Sequence, residues 1–172
     1  MKKALLTSLA AVLTLGACAN PGPSTAFAVD DVVVSTQQLE QLNKDCRPVM
    51  NSADRMSSMQ AVREMALYGA IGKRLTAKHG FSFSDAQAEE ILVRTEMTAP
   101  LRAPGCDVAA RDLGRMLLSL GKLGEKKGIA SVKELDITVN PRFGSWNKTE
   151  LELDHGTDPL SRPAPITTDS GR

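Results

Sequence analysis

Aromatic side chains are scarce in this chain: four Phe, Tyr68 and Trp146 account for 3% of 172 residues. Stacking bases on rings needs several such platforms, and by the same reasoning so does stacking sugars, which disfavours single-stranded nucleic acid and carbohydrate as ligands. An excess of one charge is missing too. Lys and Arg number 21 against 20 Asp and Glu, so no long-range field draws the protein towards nucleic acid or an acidic substrate. The three Cys and two His lack the paired short spacings of a zinc site, and no metal or cofactor is expected. The apolar stretch from Ala4 to Leu15 falls short of the roughly 20 residues that a membrane-spanning helix needs. What remains is an ordinary globular composition, 42% apolar and 24% charged, sufficient for one hydrophobic core.

The short apolar stretch reads as an address. Met1-Lys2-Lys3 supplies a positive start, and the stretch ends in Leu15-Gly16-Ala17-Cys18, which resembles a bacterial lipobox, whose Cys takes a diacylglyceryl group before cleavage. The competing reading is a plain secretory signal with an incidental Cys. On the lipobox reading, residues 1–17 are a signal peptide and Cys18 is the lipidation site. Residues 18–26, with Pro21-Gly22-Pro23, form a tether unable to pack. Two acyl chains satisfy the two-signal requirement for stable anchoring, at roughly 0.8 kcal/mol per buried methylene. The protein is then expected on the extracytoplasmic face of the cell membrane, in contact with the bilayer through Cys18. That leaves Cys46 and Cys106, which an oxidising compartment would pair; two buried free thiols are the alternative. Such a bridge closes a long loop and would contribute roughly 4 kcal/mol in the chain-entropy model.

Between the tether and the tail lies one domain, read as residues 27–157. Ala28 to Val34, β-branched around Asp30-Asp31, reads as a single strand. Ser35 and Gln38 make a capping-box start for a helix that carries Leu39 and Leu42 and ends before Pro48. Ser57 to His79 is the main helix. Met59, Val62, Ala66 and Gly69 lie on one face and Leu67, Ile71 and Leu75 on nearly the opposite one, so it must be sandwiched. A second capping box at Ser84 and Gln87 opens a third helix, and Asp107 a fourth, with Ala109, Leu113, Met116, Leu117 and Leu120 inward and Arg111, Arg115, Ser119 and Lys122 facing water. Gly128 is its expected terminator. Asp136 to Val139 reads as a second strand. Beyond Trp146 the chain turns polar, and residues 158–172 read as a disordered tail.

Few motifs carry chemistry. Gly69-Ala70-Ile71-Gly72-Lys73 has its glycines three apart inside a helix, unlike a phosphate loop. His79 precedes the helix-stopping Gly80 and reads as a C-terminal cap. Asp154-His155 lacks a nucleophile in an elbow context, and no catalytic residue is assigned. Met56, Met59 and Met65 are flexible thioethers suited to an adaptable peptide groove or to plain core filling. Tyr68 and Arg142 join them as candidate peptide-binding residues, Arg142 as a bidentate partner for a carboxylate. In the run Asn140-Pro141-Arg142-Phe143-Gly144-Ser145-Trp146, Gly144 is free to take positive φ, and Phe143 and Trp146 can lock a turn onto the core.

The valine-rich strand, the Ser-Thr-x-x-Leu helix start, a Cys late in the first helix and the run Val139 to Trp146 together resemble actinobacterial lipoproteins with a SurA N-terminal-like domain. In place of the Asn-Gly turn of that family, this chain has Asp30-Asp31. The resemblance implies a mainly α fold, a four-to-five-helix module with a small two-stranded sheet joining the N- and C-terminal strands, as in SurA and trigger factor chaperones. It implies binding of unfolded or extended polypeptide. Prolyl isomerase activity is not expected, since no parvulin domain follows Trp146. The other reading is an envelope scaffold that binds one folded protein partner.

The anchor has a direct check. Cys18→Ser is expected to abolish metabolic fatty-acid labelling and to release the protein from the membrane fraction; absence of label on the unaltered protein would refute the lipobox reading.

Overall fold

The structure, a computed structural model, describes residues 22–50 and 58–155. The signal segment, Cys18, Met56 and the tail lie outside the described residues. The valine-rich run is not one strand. It folds back on itself as β1 (Thr25–Val29) and β2 (Val32–Ser35), an antiparallel pair with Val29 opposite Val32 and Phe27 opposite Val34. The two-residue turn needs positive φ, and Asp30 takes it at 50°, a conformation that Asp tolerates better than most residues. Asp30 is held there from two sides. Its Oδ1 accepts the Asp136 backbone N–H at 2.8 Å and its Oδ2 accepts Arg74 Nε at 2.5 Å. On the far edge of β1, β3 (Ile137–Val139) pairs antiparallel, Phe27 opposite Val139. The strand before α1 and the strand at Ile137–Val139 meet as expected, in a sheet of three strands, β2-β1-β3, where two were expected.

The helices are α1 (Thr36–Cys46), α2 (Ser58–Lys78), α3 (Asp85–Arg94), α4 (Asp107–Leu123) and α5 (Glu125–Lys133), with a 3-10 turn at Ala99–Arg102. The fold is mainly α. Both capping boxes form: Ser35 Oγ accepts the Gln38 N–H while Gln38 Oε1 accepts the Ser35 N–H, and Ser84 and Gln87 repeat the arrangement. Helix α2 is sandwiched. Leu67, Ile71 and Leu75 pack on Phe27, Val29 and Leu39 of the sheet layer, while Val62 and Met65 pack on Leu92, Leu113 and the two buried cysteines.

Glycines set the spacing of the helical layer. A Cβ on Gly72 of α2 would stand 2.5 Å from the Asp112 carbonyl and 2.8 Å from the Met116 nitrogen of α4, and one on Gly114 would collide with the Ala88 carbonyl of α3. The Gly69-Ala70-Ile71-Gly72 segment therefore brings two helix backbones together. This packing also overturns the expectation that Arg111, Arg115 and Ser119 face water. Helix α3 covers that flank: Arg111 meets Glu89 at 2.7 Å and Arg115 meets Asp85. Ser119 is fully buried, 3.3 Å from Thr76 Oγ1. Helix α4 ends earlier than expected, at Gly124 with φ 73°, and Gly128 is a buried member of α5 against Leu120. Beyond the Asn140 turn, β4 (Ser145–Asn147) and β5 (Glu152–Asp154) form a hairpin whose Leu153 enters the core. Asn147 Oδ1 caps that turn by accepting the Thr149 and Glu150 N–H groups at 3.0 and 3.1 Å.

Gly72→Ala is expected to cost about 1–3 kcal/mol, because the obstacle is backbone that cannot rotate away. Gly121→Ala, in the same helical layer with nothing within 4 Å, should instead stabilise by up to about 1 kcal/mol through helix propensity. Urea denaturation of the two variants checks the contrast; equal shifts would remove the close-approach account.

Candidate functional site

The site lies where the end of α1 is fastened to the start of α4. Cys46, the last residue of α1, and Cys106, beside the first residue of α4, form a disulfide with Cα atoms 5.1 Å apart, and both are fully buried. Their chain neighbours Asp45 and Gly105 line a cleft of about 290 Å³. The cleft's floor is Ala66, Gly69 and Ala70 of α2, small side chains that leave room above them. One wall combines β2, through Val32, Val33 and Val34, with Gln38, Gln41, Leu42 and Asp45 of α1; the other is Val108 and Ala109 of α4. Positions 38, 41, 42 and 45 fall on one helical face. At the rims, Val33 and Val108 expose 53% and 56% of their surface, so the cleft is apolar and open.

Its charges are unequally neutralised. Asp112 is buried and accepts Lys73 at 2.8 Å and Arg115 at 2.7 Å, which leaves it satisfied on both oxygens. Asp45 receives Gln41 Nε2 at 3.0 Å, and no basic side chain among the described residues reaches it. At the hairpin turn, the hydrogen bond from Arg74 holds the Asp30 carboxyl below its ordinary pKa, and the same contact raises Arg74.

The candidates taken from the sequence do not assemble into one groove. Met65 is only 2% exposed and belongs to the core around the disulfide, though one side of it borders the cleft. Its thioether also joins Met50 and Met97 around a separate pocket of about 160 Å³. Tyr68 borders that pocket; the Leu153 backbone N–H donates to its hydroxyl oxygen, and burial pushes its pKa up to about 12. Met59 sits on another face, 42% exposed, with its sulfur accepting from Arg63 at 3.4 Å. Arg142 is exposed beside Phe143, whose ring also carries Arg63 at 5.6 Å. Thus Met59 and Arg142 are linked through Arg63 and Phe143, away from the cleft. Met56 is outside the described residues.

The histidines serve packing. His155 Nε2 lies 3.0 Å from Glu64 of α2, which ties the end of β5 to that helix. His79 Nε2 meets Ser131 Oγ at 3.1 Å and its ring stacks on Phe81. No metal-binding group of three or more His, Cys, Asp or Glu forms among the described residues. Sequence reasoning missed Val33, Asp45 and Val108. Val33 was hidden inside an assumed single strand, and only Val108, an apolar residue in the first turn of α4 off its inward stripe, carried a signal. No family model, curated protein or solved structure matches the chain.

Since the hairpin turn positions β2 along the cleft, Asp30→Asn is expected to lower the urea midpoint at pH 7. The folded-state pKa lies below the unfolded value of about 3.9, so this contribution is present above the unfolded pKa and lost as pH falls through the folded one. The gap between variant and parent should therefore close as pH falls below about 4 and through the lowered folded-state pKa. A gap that stays constant would assign the loss to geometry alone.

Proposed function

We propose that the protein is a lipid-anchored, extracytoplasmic module that binds unfolded or extended polypeptide, chaperone-like and without catalysis. The observation that carries this reading is the open apolar cleft between β2, α1 and α4, with Val33 and Val108 exposed on opposite rims. Exposed apolar groups facing one another across a hollow leave water poorly bound there, and covering them is favourable by about 25 cal/mol per Å². The likeness of the chain's two ends to SurA-type lipoproteins supports the same class of ligand, and the lipobox-like Leu15 to Cys18 supports the anchor. Among the described residues no helix is long and apolar enough to cross a membrane, so attachment on this reading rests on Cys18. Met59, Tyr68 and Arg142 are not part of this cleft, while Met65 contributes one edge of it.

The full-length protein in mild detergent should slow aggregation of a reduced, unfolded client. Val108→Asp should weaken that protection several-fold with unchanged circular dichroism, because an acidic residue in the first turn of α4 suits the helix dipole while making the rim polar. Met59→Asp, on the other face, should leave protection intact. A parent protein that protects no client, together with crosslinking in intact cells that captures a single partner, would replace this reading with the scaffold one.

A further inference from the structure

Strand β2 has a free edge on the cleft, and the hydrogen-bond parity of the sheet fixes which groups it offers. Strand β1 is central, so its residues alternate between neighbours. Its even side belongs to β3: the Asp30 N–H donates to the Asp136 carbonyl at 2.8 Å and the Asn140 N–H to the Ala26 carbonyl at 2.9 Å. Phe27 and Val29 consequently exchange backbone bonds with Val34 and Val32. Val33, between them, aims its N–H and C=O away from the sheet. Its side chain is more than half exposed, and it lines the cleft. Ser35, next on that edge, has its N–H taken by Gln38 Oε1 at 2.8 Å. The edge therefore offers one donor and acceptor pair, too little to recruit a long strand and sufficient to register a short one.

The second feature is charge. Seven residues separate Gln38 from Asp45 along the α1 wall, about 10 Å of helix. Lys73 and Asp112 neutralise each other on the opposite side, so Asp45 is the lining carboxylate without a basic partner among the described residues.

From these two features we infer that the cleft takes an extended polypeptide by strand addition at Val33, with an apolar side chain laid over Ala66, Gly69 and Ala70 and a Lys or Arg a few residues away meeting Asp45. This deepens the proposed function and rests on it. Main-chain bonds supply attachment, the floor selects side chains at alternate positions, and Asp45 sets polarity. An acidic residue at the same place meets an unpaired like charge, so discrimination comes from repulsion as well as attraction.

The test uses full-length protein in detergent with a labelled, blocked seven-residue peptide of alternating Val and Ser bearing one Lys, and its Glu counterpart, read by fluorescence anisotropy. The Lys peptide should bind at least five-fold more tightly than the Glu peptide, and Asp45→Asn should bring the two within about two-fold. N-methylation of the peptide backbone, one residue at a time, should abolish binding at a position whose N–H faces Val33 and leave its immediate neighbours unaffected. Amide exchange at Val33 should slow on binding. Val33→Pro, which removes the outward N–H without taking a donor from the β1–β2 ladder, should weaken the Lys peptide wherever circular dichroism shows the variant folded. The peptide scan, made on the unaltered protein, decides the matter if that variant does not fold. Binding with a flat N-methylation scan, or with Lys preference unchanged in Asp45→Asn, overturns this mode and leaves polypeptide binding standing. Failure of both peptides alongside undiminished client protection also overturns the mode alone, whereas failure of peptides and client together overturns the function as well.

Discussion

Helix α2 can lie against α4 at backbone distance only because residue 72 carries no side chain. Much of the architecture depends on that approach. It brings Asp112 within reach of Lys73, places Thr76 beside Ser119, and stacks the core around the disulfide beneath α2. The close packing is repeated at Gly114 against α3. Three helices are thus held at a spacing that larger residues would prevent, and their outer flanks are closed by Arg111 and Arg115 pairing with Glu89 and Asp85. The ionic pairs on this flank are partly exposed and individually modest. Their geometric effect is to fix α3 over a face of α4 that would otherwise be solvent.

The cleft inherits its form from the same constraint. A floor of Ala66, Gly69 and Ala70 is what remains when α2 uses its small residues to meet its neighbours. The walls are set separately, β2 by the Asp30 turn and α1 with α4 by the disulfide. Two local devices, one ionic and one covalent, therefore control the width of an opening whose depth is decided by helix packing.

What was legible in the sequence was local and periodic. Ser35 with Gln38 and Ser84 with Gln87 announced their helices because capping is decided within four residues. The two-faced pattern of α2 announced a sandwich for the same reason. The pairing of Cys46 with Cys106 followed from counting. The failures share a physical origin in tertiary context. Asp30-Asp31 reads as an interruption in a strand until Arg74 and Asp136 stabilise the turn. Arg111, Arg115 and Ser119 read as a wet face until α3 arrives. The β4–β5 hairpin has strands of only three residues each, too short for an alternation to stand out, and Trp146, Leu151 and Leu153 find their core only in the folded chain. The cleft was invisible for a related reason: its residues come from four elements, and no stretch of sequence holds more than a few of them. The methionines illustrate the converse, since Met59 and Met65 share one helix yet one is on the surface and the other in the core.

The position of β1 carries a consequence for how the chain is made. It is the middle strand of the sheet, yet it is synthesised first of the three and receives its second neighbour from Ile137–Val139, more than a hundred residues later. Until that late segment emerges, β1 has one side unpaired, with Phe27 and Val29 bound for a core not yet assembled. Long-range closure of this kind is slow compared with forming helices and hairpins, and half-finished sheets are aggregation-prone. A protein proposed to shield the exposed strands of others thus passes, during its own birth, through the condition it would relieve.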